Sequence, residues 1–137
     1  MSSPQVSPHV PTIFNQYWPE FSKSKEYQGL NLPHEVSSIA PTIIQQYLNS
    51  MNDRTGLTLS EWTVSDMKRS AKALIADAPK NHLGVTVAAA SLLMIQQFLK
   101  WLATTGALRV PQSTIKVLLL PMMLKLITFH KLHHRNH

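Results

Sequence analysis

The sequence contains no cysteine. That removes a disulfide framework, a thiol nucleophile and a thiolate zinc site at once. Glycine is scarce, and Gly29, Gly56, Gly84 and Gly106 never cluster, which excludes a phosphate-cradling P-loop or a dinucleotide fingerprint. Acidic residues are missing from everything after Asp77. All seven lie between Glu20 and Asp77, while Lys80, Lys100, Arg109, Lys116, Lys125, Lys131 and Arg135 follow with nothing to balance them. No carboxylate pair, nucleophile–base spacing or cofactor motif is present. Asp53, Glu61, Asp66 and Asp77 fit turns and helix starts, so no catalytic residue and no cofactor is assigned and the chain reads as a non-enzyme. The opening, MSSPQVSPHV, has neither a basic start nor an apolar run, so a cytoplasmic location is expected rather than secretion.

What remains is a basic chain of 137 residues with a net charge of +6 and 44% hydrophobic residues. That length suits one domain able to bury its own core. The charge asymmetry points the C-terminal half toward something anionic: nucleic acid, a lipid surface or an acidic partner. A solvated face with an ordinary density of lysines would look the same.

The expected architecture is all-α, a single-domain bundle of four to five helices. Residues 1–37, with Pro4, Pro8, Pro11 and Pro19, read as a loosely structured arm and connection, holding at most a short helix over 12–17 that Pro19 ends. Residues 38–137 read as the helical domain. A helix over 38–51 carries Ile43, Ile44, Tyr47, Leu48 and Met51 on one stripe, with Pro41 in its first turn. Thr63 and Asp66 form a capping-box variant for a helix from Val64 to about Ala76, whose inner face is Met67, Ala71, Leu74 and Ala78. Pro79 is expected to stop it.

The strongest signal is residues 85–105, apolar nearly all round with Lys100 as the sole charge, which places this helix in the centre of the bundle. Gly106 is expected to take the left-handed position after its end. Ser113 then caps a last helix from about Thr114, kinked or broken at Pro121. The hexapeptides Ile43–Leu48 and Met94–Leu99 echo each other, but their flanks do not, so they mark two similarly packed helices.

Three candidate surfaces follow. The last helix offers Leu118, Leu119, Met122, Met123, Leu126 and Phe129 as a contact for a second copy or a protein partner. Lys68, Arg69 and Lys72, with Lys80 beyond, offer a basic face for the alternative role of accessory nucleic-acid binding. The apolar 85–105 helix lacks the polar side chains of a recognition helix, so a helix-turn-helix is not expected. His130, His133, His134 and His137 share one helical face at i, i+3, i+4 and i+7, but no carboxylate stands near to orient them, and no metal site is assigned. A membrane span is not expected, since the last apolar segment is interrupted at Pro121 and Lys125 and a bilayer needs about 20 apolar residues. No small-molecule ligand can be named from these residues.

Residues 61–108 carry a family likeness. EWTVSDMKRSAKALI, a short loop, and then SLLMIQQFLKWLATTGAL resemble the helical region of bacterial proteins that carry SEC-C metal-binding motifs. The likeness covers about a third of the chain. The cysteine–histidine SEC-C motif itself is absent, so its zinc does not carry over. The same stretch also resembles, more faintly, the core-binding domain of tyrosine recombinases, whose catalytic domain has no counterpart here.

Overall fold

A computed structural model describes residues 9–76, 78 and 81–135, with backbone alone for His82 and residues 129–135. All regular structure among the described residues is helical. Five long helices carry the fold: α1 (His9–Ser22), α4 (Ala40–Arg54), α5 (Val64–Ile75), α6 (His82–Thr104) and α8 (Leu120–Arg135). Three single turns, α2 (Lys25–Gln28), α3 (His34–Ser37) and α7 (Gln112–Ile115), join them, with a 3-10 turn at Leu59–Glu61. The all-α bundle expected from the sequence is the observed fold.

Helix α6 is the central post. It touches α2, α3, α4, α5, α7 and α8, and its Leu92, Met94, Ile95, Phe98, Leu99 and Leu102 are fully buried. By length and composition Leu83–Thr104 is apolar enough to cross a bilayer. Here the face carrying Leu92, Met94, Ile95, Phe98, Leu99 and Leu102 is covered by neighbouring helices, as in the core of a globular domain, while Leu83 and Leu93 stay exposed. Asn81 starts the helix, its Oδ1 accepting from the Gly84 N–H at 2.7 Å. At the other end Gly106 sits at φ +83°. Its N–H donates to Ala103 O and the Ala107 N–H to Leu102 O, the paired bonds of a Schellman stop.

The stripe on α4 is buried throughout, with Ile44, Tyr47, Leu48 and Met51 at zero exposure and Ile43 nearly so. The Tyr47 hydroxyl donates to Met67 O at 2.9 Å, tying α4 to α5 inside the core. Burial holds the Tyr47 phenol above its ordinary pKa, so the hydroxyl stays a donor. Thr63 caps α5 as read from the sequence: its Oγ1 accepts from the Asp66 N–H at 3.1 Å and donates to Asp66 Oδ2 at 2.9 Å. Met67 and Ala71 are buried, and Leu74 and Ala78 half-buried. Pro79 and Asp77 lie outside the described residues.

Two expectations are corrected. Residues 9–37 are not a loose arm. Helix α1 runs through Pro19, and Val10, Phe14 and Phe21 are core residues. A proline inside a helix costs roughly 3 kcal/mol, but packing outweighs it. Phe21 is wholly buried, which alone gives about 2 kcal/mol. Its ring also meets Phe98 at 5.1 Å, Tyr27 at 5.3 Å and Trp101 at 5.6 Å, and such aromatic pairs add about 1 kcal/mol each. The second correction is at Pro121. The chain breaks earlier, in turns over 116–119, and Pro121 stands in the first turn of α8, where a missing N–H is tolerated. No helix runs through it to be kinked.

Candidate functional site

The side chain that orients the C-terminal segment is Gln96. It lies on α6 at 3% exposure. Its Oε1 accepts from the Leu119 N–H at 2.8 Å, and its Nε2 donates to Ile115 O. One amide thus holds both ends of the turn between α7 and α8. It satisfies the Leu119 N–H, which the break in the helix would leave orphaned in the interior, and adds a second donor to Ile115 O. Ile115, Leu118, Leu119 and Met123 are drawn into the core by the same arrangement.

This fixes which arc of α8 faces outward. Of the six residues nominated as a contact surface, Leu118, Leu119 and Met123 are between 0 and 7% exposed and belong to the protein's own core. They cannot meet a partner. Met122 and Leu126 are half-buried, and the Phe129 side chain lies outside the described residues. The bare apolar residues are others: Val117 (55% exposed), Leu120 (42%), Leu124 (63%) and Ile127 (45%). Leu120, Leu124 and Ile127 recur on α8 at four and three residues, the spacing of a helix-pairing seam, and Val117 lies in the turn before them. The sequence held this pattern, but the segment is apolar on both arcs, so periodicity alone could not tell inside from outside.

The basic candidates fall beside the apolar ones. Lys68, Arg69 and Lys72 are exposed on α5. Lys68 and Lys72 line a groove of about 600 Å³ between α5 and α8, together with Lys125 from the far wall. The floor is apolar: Ile75 on one side, and Leu118, Met122 and Leu126 on the other, with Pro121 and Ala76 completing it. No acidic residue lines the groove among those described. Part of each of the two surfaces read separately from the sequence lines this one groove: Lys68 and Lys72 from the first, Leu118, Met122 and Leu126 from the second. Lys80 lies outside the described residues, and so do the side chains of His130, His133 and His134 and the whole of His137. Among the described residues no three of His, Asp and Glu stand together as metal ligands.

A second depression, of about 420 Å³, lies where α4, α5 and the start of α6 meet, lined by Ile39, Leu74, Leu83 and Val87 among others. Ile39 and Leu83 are exposed there. It carries no charged group among its described lining residues.

No protein-family model, curated protein or solved structure matches the chain, so the likeness at residues 61–108 gains no support from them and brings no residue role with it.

Proposed function

We propose that this chain is a non-enzymatic helical interaction protein that pairs, with a second copy or with another protein, through the outer face of α8. One observation carries the reading: three large apolar side chains, Leu120, Leu124 and Ile127, stand exposed at seam spacing on α8, whose other face is already packed, and Val117 stands exposed in the turn just before it. Leaving such residues in water forgoes about 2 kcal/mol for each side chain that a partner could bury.

The test uses point substitutions, because deleting residues 112–137 would also remove Ile115, Leu118, Leu119 and Met123 from the core. Leu124→Arg with Ile127→Arg changes only exposed positions. Light scattering of the wild-type chain should show concentration-dependent association or a stable complex with a protein partner, and the double variant should abolish it while keeping the helical circular dichroism. A wild-type chain that is monomeric at high concentration and captures no protein through this face sinks the reading.

The alternative, an accessory nucleic-acid-binding role, draws support from Lys68, Arg69 and Lys72 standing exposed together on α5. Its electrostatic component would appear first at low salt, so failure to bind mixed DNA and RNA there would eliminate it.

A further inference from the structure

We propose that the groove between α5 and α8 is a binding site for a monomeric fatty carboxylate, with Lys68, Lys72 and Lys125 holding the carboxylate and Ile75, Met122 and Leu126 covering the alkyl chain. The inference stands on the groove and not on the outer face of α8.

Charge complementarity sets the head group. Lys68 and Lys72 are four residues apart on one helix and so are neighbours on its surface. Lys125 comes from the opposite wall. None of the three has a carboxylate partner among the described residues, and like charges so arranged repel each other until an anion sits between them. The floor sets the tail. Half-buried Ile75, Met122 and Leu126 form an apolar surface that a hydrated anion such as free phosphate would leave wet. Along α5 the charged end lies at Lys68, about 10 Å of helix from Ile75, while Lys72 and Lys125 stand closer to the apolar floor.

Size fits a small amphiphile. The volume, about 600 Å³, falls within the roughly 300–1,000 Å³ of small-ligand sites. A sugar–phosphate backbone would satisfy the lysines and waste the floor.

Decanoate below its micelle concentration is the probe, with decanol and decyltrimethylammonium as neutral and cationic controls. Calorimetry should give saturable binding of one decanoate per chain, at least about tenfold tighter than decanol and weakening as salt is raised. Lys68→Gln with Lys72→Gln, at exposed positions where folding is undisturbed, should weaken decanoate by about tenfold and leave decanol unchanged. The Met122 methyl resonance, assigned through Met122→Leu, should shift on titration. The inference is overturned by absence of saturable binding, by equal affinity for decanol, by lysine variants that bind as well as wild type, or by shifts confined to methyls elsewhere. It is also overturned if an acidic amphipathic peptide occupies the groove more tightly than decanoate. The Leu124→Arg, Ile127→Arg variant should keep its decanoate affinity, so loss of pairing and loss of ligand are separate outcomes.

Discussion

Replacing Gln96 by leucine should cost about 3 kcal/mol of folding free energy. The figure follows from what each bond leaves behind. Ile115 O also accepts from the Leu118 N–H at 3.0 Å, so losing the Gln96 Nε2 donor costs only the net worth of a hydrogen bond, about 1 kcal/mol. The Leu119 N–H has Gln96 Oε1 as its acceptor, and Leu119 is wholly buried. Leaving that donor orphaned adds about 2 kcal/mol. Leucine nearly fills the volume, so little cavity energy enters. Over 137 residues the unfolding entropy converts about 3 kcal/mol into a fall in Tm of about 10 °C. Chemical denaturation should show a lower midpoint with an unchanged slope, and the Leu119 amide should lose hydrogen-exchange protection. Gln96→Glu gives a pH signature. Its carboxylate can still accept from Leu119, but it faces the Ile115 carbonyl with no proton to donate. The folded state then favours the protonated acid, so its pKa is raised above the unfolded value of about 4.3. Stability is kept below that pH and lost as pH rises through the folded value. A Gln96→Leu variant within about 0.5 kcal/mol of wild type would refute the reasoning.

Other predictions are simpler. Gly106→Ala should destabilise by about 1–2 kcal/mol in thermal melts: the added Cβ meets nothing within 4 Å, so the cost is the left-handed backbone alone. Because burial raises the Tyr47 pKa, wild-type stability should fall as pH climbs past about 10, where the unfolded phenol ionises. Tyr47→Phe should lessen that fall, Tyr27 being raised by burial too, while costing about 1 kcal/mol at neutral pH through the lost bond to Met67 O. Ser70 is buried with its Oγ unpartnered, so Ser70→Ala should raise the denaturation midpoint by the equivalent of about 1 kcal/mol.

Much of this fold was legible in the sequence because single helices write their own signatures. The α4 stripe, the Thr63 cap, the Gly106 stop and the central position of α6 each depend on residues within one or two turns. What escaped detection depends on distant partners. Gln45 and Gln96 occupy the same place in the echoed hexapeptides, yet Gln45 is half-buried and Gln96 is sealed inside, since only α6 has the α7–α8 turn laid across it. Pro19 reads locally as a break, and only rings from α6 show why α1 continues through it. The candidate residues on α5 and α8 were each visible, but more than forty positions separate the walls of their groove, and nothing local pairs them.

The aromatic cluster around Phe21 has a consequence for how the chain is made. Phe98 and Trp101 reach Phe21 only after a further 77 and 80 residues have been added. At a synthesis rate of roughly 5–20 residues per second, the wait for Phe98 is about 4–15 s. During that interval α4 can offer α1 a first surface, and Trp18 and Tyr27 cover only part of Phe21. A helix that carries an internal proline and has only the nearby rings of Trp18 and Tyr27 against Phe21 is a poor independent element. The segment around Phe21 therefore emerges before its partner rings on α6 and settles only once they have been made.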